Sequence, residues 1–140
     1  MSNASRMIVV DASVAAKWFL LEREANVAEA WELLEAHLAG TTLLAAPDHM
    51  RLEVLNAVRS RGLPNEYVLK TADALDGFQI VWFPLAGPLV RAATEIAVAN
   101  DLTLYDASFA ALAVDLDTDL VTADRKLATS NACAMRLLGE

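Results

Sequence analysis

The sequence specifies an α/β fold with a central, mostly parallel sheet flanked by helices, and three observations carry that reading. Short β-branched runs alternate with longer helical stretches from one end of the chain to the other. The first run, Met7-Ile8-Val9-Val10, is continuously apolar, as a strand buried on both faces must be. Tyr105–Leu116 is nearly all apolar after its first turn, which marks a central helix rather than a surface one.

The elements follow in order. The first strand ends at Asp11, and Ser13 is the expected N-cap of a helix through Trp18-Phe19-Leu20-Leu21. Asn26 with Glu29 reads as a capping pair for a helix from Val27 to Leu38, closed by Gly40. Thr42–Ala46 is a second strand that Pro47 stops, and a third helix runs from Asp48 to Arg61, ended by Gly62. Pro64-Asn65 opens a fourth helix that fades at Gly77; Gln79–Phe83 alternates and is read as a strand ended by Pro84. Pro88 suits the first turn of a fifth helix reaching Asn100. After the sixth helix, Tyr105–Leu116, come a strand at Asp119–Thr122, a short helix at Asp124–Ser130 and a last strand at Met135–Leu138.

A chain of 140 residues fits one domain, expected to span 7–140, and its 56% hydrophobic content sets it far from the disordered class. Residues 1–6 are expected to lie outside it, with Ser2-Asn3-Ala4 resembling a scar of tag removal and Met7 a natural start. The longest apolar runs are broken by Arg91, Glu95, Asp106 and Asp115, whereas a membrane span needs about 20 apolar residues. No secretory leader pattern is legible. The single Cys133 excludes an internal disulfide and a cysteine zinc cluster, which suits the cytoplasm. A net charge of −8 argues against a phosphate backbone bound through Lys and Arg alone. It leaves open a nucleic acid met through a divalent cation that carboxylates hold.

The acids therefore decide the reading. Asp11 directly follows the first strand, Asp106 opens the central helix, and Asp124 follows the strand Leu120-Val121-Thr122. In parallel sheets the ligand site lies beyond the carboxyl ends of the strands, so these three converge on one rim. Each has a plain alternative, because Asp at a helix start is a favoured cap, and Ser13 is explained the same way. Together they repel one another, which is tolerated most easily where a cation compensates. Glu53 falls at the edge of the apolar stripe Met50, Val54, Ala57 and Val58, a position equally suited to a solvated side chain or an inward-leaning ligand.

Four segments carry a family resemblance: Ile8-Val9-Val10-Asp11-Ala12-Ser13, Arg51-Leu52-Glu53-Val54, Tyr105-Asp106-Ala107-Ser108, and Leu120-Val121-Thr122-Ala123-Asp124-Arg125-Lys126-Leu127. In this order and spacing they resemble the PIN-domain family, and within it the VapC-type ribonuclease toxins of toxin–antitoxin pairs. The resemblance implies a PIN-like three-layer fold and an acidic quartet of Asp11, Glu53, Asp106 and Asp124 around magnesium, with manganese as an alternative. Ser13 and Thr122 match positions that support such a quartet by hydrogen bonds. All-oxygen donors suit a hard cation. The activity implied is hydrolysis of RNA phosphodiesters by an activated water attacking in line, leaving 5′-phosphate and 3′-hydroxyl ends. A homodimer and a cognate antitoxin are implied as partners, the antitoxin seated against the apolar faces near Trp18–Leu21 and Val27–Leu38.

Lys17, Arg51, Arg59, Arg61, Arg125 and Lys126 are the basic residues that could line an RNA path, although surface solvation explains each equally well. His49, close to Glu53, could contact substrate but reads first as an exposed residue at a helix start, and Trp18, Trp31 and Trp82 read as core or interface. Asp115, Asp117 and Asp119 read as a solvated loop, with Asp119 at the far rim. Three rival readings stand beside the toxin: a PIN nuclease of RNA processing, a magnesium-dependent phosphotransfer domain with Asp11 as nucleophile, and a scaffold without metal. The phosphatase pattern wants a second Asp where Ser13 stands, and the receiver pattern wants an acidic pair at Asp11.

Overall fold

The computed structural model describes residues 6–140. Five strands, β1 (Arg6–Val10), β2 (Thr42–Pro47), β3 (Val81–Phe83), β4 (Leu120–Thr122) and β5 (Met135–Leu137), form one sheet in the order β3-β2-β1-β4-β5, and every pairing is parallel. Among the described residues seven α-helices flank it: α1 (Ala12–Ala15), α2 (Val27–Leu38), α3 (Met50–Ser60), α4 (Asn65–Gly77), α5 (Gly87–Asn100), α6 (Leu104–Asp115) and α7 (Arg125–Ala128). The tag-scar expectation falls on residues 1–5, outside the described residues. Arg6 itself belongs to β1, in register with Thr42.

The strand order reverses direction between β1 and β4, and this crevice is where a parallel sheet opens a ligand site. The apolar run of β1 explains the centre: Ile8, Val9 and Val10 are all buried, since β1 is paired on both sides and covered on both faces. Helix α6 lies against β1, β2 and β4, with α5 packed on α6. Its stretch Ala107–Ala113 is buried throughout, and Phe109 and Leu112 fill the main core. Small Ala side chains at Ala93, Ala97, Ala107 and Ala111 form a second, satellite cluster where α5 meets α6. No helix among the described residues is long and apolar enough to cross a membrane.

Several boundaries differ from the sequence reading. Ser13 is not the first cap: Asp11 is, accepting from Val14 N, and α1 lasts only four residues before a 3-10 turn at Ala16–Trp18. Trp18, Phe19 and Leu20 are all buried, and no single helical face can bury three consecutive side chains, so the chain leaves the helix there. Asn26 caps nothing with its side chain. It sits at φ 58° and donates to Leu138 O at 3.4 Å, tying the start of α2 to the residue just after β5. The strand expected at Gln79–Phe83 begins only at Val81, because Gln79 takes a positive φ of 54°.

His37 explains that turn. Its Nδ1 accepts from Leu44 N at 2.9 Å, so the ring proton sits on Nε2, which donates to Phe78 O at 2.9 Å. One buried imidazole thus joins α2, β2 and the loop entering β3. His37→Ala is expected to cost about 2–4 kcal/mol, since it strands the buried Leu44 N–H and a carbonyl. Urea unfolding checks this: the midpoint should fall while the slope stays unchanged.

Candidate active site

Asp11 is the most constrained carboxylate. It is 4% exposed, and its backbone N–H donates to Val121 O, which fixes it at the β1–β4 crevice. Ser13 Oγ donates to Asp11 Oδ1 at 2.6 Å and Thr122 Oγ1 donates to Oδ2 at 2.5 Å. Each hydroxyl in turn accepts a backbone N–H, Ser13 from Ala123 at 2.9 Å and Thr122 from Asp124 at 3.0 Å. With both hydroxyl protons spent on Asp11, the 3.3 Å approach of Ser13 Oγ to Thr122 Oγ1 is a packing contact. This arrangement orients the carboxylate and joins it to the loop after β4.

Asp106 stands in the first turn of α6. It does not open that helix, because Thr103 is the cap and its hydroxyl accepts from Asp106 N at 3.1 Å. Asp124 caps α7, its Oδ1 accepting from Lys126 N and Leu127 N. Glu53, half-buried on α3, bonds to His49.

The electrostatics bind the four acids into one cluster. Burial pushes the Asp11 carboxyl up to about 6, against the pull of its three hydrogen bonds, and the charge of Asp106 adds to the rise. Asp106 is raised by burial and then by the charges of Asp124 and Glu53, with Thr103 and Lys126 working the other way. Carboxylates that raise one another in this way are stabilised by a positive charge placed among them, and Lys126 supplies only part of it. Their donors are all oxygen, the chemistry a hard divalent ion takes. Among the described residues no three of these side chains close into a ready ligand shell. Asp11 is turned to its hydroxyls, Glu53 to His49 and Asp124 to the α7 amides. The residues fit a divalent ion in number, charge and chemistry.

The basic residues separate sharply. Lys17 is 7% exposed and pairs with Glu24 at 3.1 Å, and Arg61 takes the other Glu24 oxygen at 2.7 Å. Burial alone would raise the Glu24 carboxyl, but the two cations outweigh it and hold it below its ordinary value. Both residues are thus engaged in holding the loop before α2, and Lys17 is buried there. Lys17→Met is expected to destabilise the fold by about 2–3 kcal/mol and leave KM for a nucleic acid unchanged; melting and steady-state kinetics separate the two. Arg51 bonds to Asp48 at 3.3 Å and lies 4.7 Å over the Trp82 ring. Arg125 makes an exposed pair with Glu140 at 3.5 Å, Arg59 is exposed, and Lys126 is exposed close enough to act on Asp106. Asp119 pairs with Arg6 at the start of β1, on the rim away from the cluster.

The sequence does not by itself join His49 to Glu53 and Ser108. His49 is not an exposed helix-start residue: its Nδ1 meets Glu53 at 2.5 Å and its Nε2 meets Ser108 Oγ at 2.7 Å. Ser108 is buried on α6. The signals were a polar residue inside an otherwise apolar helix, which needs a partner, and a His four residues before Glu53 on one helix. Cys133 offers no nucleophile, because burial first, and then the charge of Asp119, push its thiol up to about 11.

With this geometry in view, the PIN domain family model matches residues 8–130, and the chain belongs to that family. No curated protein matches the sequence significantly. Among solved structures, that of Mycobacterium tuberculosis VapC20, a sarcin–ricin loop cleaving toxin, is similar with a TM-score of 0.72 at 16% identity, over 89% of this chain and 95% of that one. PAE2754 from Pyrobaculum aerophilum is similar with a TM-score of 0.62 at 24% identity, over 94% of this chain and 91% of that one. A chain of VapBC2 from Rickettsia felis, solved with a DNA fragment from its promoter, gives a TM-score of 0.70 at 12% identity, over 94% of this chain and 98% of that one. At these identities the likeness concerns the fold.

Proposed function

We propose that this protein is a divalent-metal-dependent endoribonuclease and the toxin of a toxin–antitoxin pair. The observation that carries the reading is Asp11: a buried carboxylate at the sheet crevice, oriented by Ser13 and Thr122 and feeling the charge of Asp106, which in turn feels those of Asp124 and Glu53. Asp11 and Asp106 are the direct ligands we assign to magnesium or manganese, with Asp124 and Glu53 completing the cluster. A bound divalent ion supplies activation of a water and charge stabilisation at a scissile phosphate. The protein's part is to fix the carboxylates, accept the water's proton at the cluster, and present Lys126, Arg51 and Arg125 to the RNA backbone.

The phosphotransfer alternative has less behind it, because Ser13 stands where a phosphatase pattern wants a second Asp and it donates to Asp11 instead. For partners we assign an antitoxin and a second copy of the chain. The net charge of −8 suits a basic antitoxin segment. The expected groove needs correction: Trp18, Phe19 and Leu20 belong to the core, and only Leu21 and Leu38 of those faces are substantially exposed. The test is cleavage of a labelled RNA with magnesium, manganese or chelator, beside a DNA of the same sequence. Metal-dependent cutting of RNA with 5′-phosphate ends supports the reading; metal binding without any cutting would return the scaffold reading to the front.

A further inference from the structure

The chain carries 19 Asp and Glu against 11 Lys and Arg, and two of those cations, Lys17 and Arg61, are held together on Glu24. Phosphate charge is therefore a poor sole source of affinity for RNA. The other general source is stacking of bases on a flat side chain, which needs no cation. Tyr105 offers such a side chain at the acidic cluster. It directly precedes Asp106 in the first turn of α6 and is 61% exposed, with Leu104 beside it at 56%. The ring is nevertheless fixed from behind. It packs against His49 at 5.2 Å between centroids, the planes 60° apart. His49 is itself held by Glu53, by Ser108 and by the ring of Phe109. Tyr105, Ser108 and Phe109 are spaced i, i+3 and i+4, so one stripe of α6 grips His49 and sets the tyrosine against it. The result is a braced, open aromatic plate one residue from a carboxylate assigned to the metal.

We infer that Tyr105 positions the substrate: a nucleobase flanking the scissile phosphate stacks on its ring and so seats that phosphate beside Asp106. This rests on the nuclease reading above. Every base has a π-face, so the ring sets where the strand lies and not which sequence is cut. The base must be unpaired and turned out of its own stack to reach the ring. Because Tyr105 carries no charge, its contribution is independent of the metal and of the cations along the backbone.

The test pairs the ring with the base. The cut made by wild type in a labelled RNA is mapped, and the RNA is remade with an abasic ribose on one side of the cut or on the other. Wild type, Tyr105→Leu, Tyr105→Phe and Tyr105→Trp are compared by kcat/KM, with melting curves and calorimetric Mn2+ titration beside them. Tyr105→Leu keeps apolar bulk against His49 but has no flat face, and is expected to lose about 5- to 100-fold in kcat/KM on the intact RNA. Tyr105→Phe and Tyr105→Trp return a flat ring and should recover the activity. On one of the two abasic RNAs wild type and Tyr105→Leu should cut alike, because the ring has nothing to stack on. Mn2+ affinity and melting temperature should stay level across the series. The inference is overturned, with the nuclease reading left standing, if Tyr105→Leu loses as much on both abasic RNAs as on the intact one. A loss that follows Mn2+ affinity, or a change of oligomeric state by light scattering, overturns it in the same way, since the ring would then serve the metal or a protein contact. A wild type that cuts no RNA overturns both.

Discussion

Asp11→Asn is expected to abolish RNA cleavage while making the metal-free protein more stable. The two effects share one cause. Ionised Asp11 sits in a buried place beside Asp106, and a carboxyl held at about 6 instead of its ordinary 3.8 costs the fold on the order of 2–3 kcal/mol at neutral pH. Asn keeps the shape, caps α1 as well as Asp does, and carries no charge. Part of the gain is lost where the Ser13 and Thr122 protons must turn, so the net expectation is a rise of about 3–6 °C in the chelated protein. Cleavage should fall at least about 10²- to 10³-fold, the usual loss when one preorganised electrostatic contact is removed. The pH sign follows from the raised value. The neutral form is favoured in the folded state, so this contribution is fully present below 3.8 and is lost as pH rises through about 6. Chelated wild type should therefore gain stability as pH falls from 7 toward 4, and Asp11→Asn should lack that segment. A variant that melts below wild type in chelator would contradict the assignment.

Thr122→Val is expected to lose both stability and activity, because one fully buried hydroxyl serves two partners. It donates to Asp11 Oδ2 and accepts from Asp124 N. Val has the same shape without the oxygen, so the substitution leaves the part-buried Asp124 N–H and a buried Asp11 oxygen short of a partner. The expected cost is about 2–3 kcal/mol. Activity should fall about 10- to 100-fold, because Asp11 and the α7 cap lose their common anchor. Thr122→Ser restores the hydroxyl and should recover most of the activity even if stability stays lower. Equal losses in the Val and Ser variants would show that packing, and not the hydroxyl, matters here.

Much of this architecture was legible because it depends on local pattern. β1 announced itself through Ile8-Val9-Val10, and α6 through an apolar run that proved buried from Ala107 to Ala113. Asp11, Asp106 and Asp124 were placed by the strands and helices they adjoin. What pattern could not give are contacts between distant residues. His37 reaches Phe78 across the chain, and His49 meets Ser108 from another helix. The end of α1 depends on what Trp18, Phe19 and Leu20 bury against, and Trp18 Nε1 finds Ala30 O only in the folded chain. Lys17 looked like a surface cation for the same reason: its partner Glu24 lies on a loop whose path the sequence does not reveal.

The most direct measurement is anomalous diffraction from crystals of the protein grown with Mn2+. The expected result is a manganese peak touching Asp11 and Asp106, with Ser13 and Thr122 still bonded to Asp11. No peak at that cluster at millimolar Mn2+, or one bound elsewhere on the molecule, would contradict the metal-dependent nuclease assignment at its foundation.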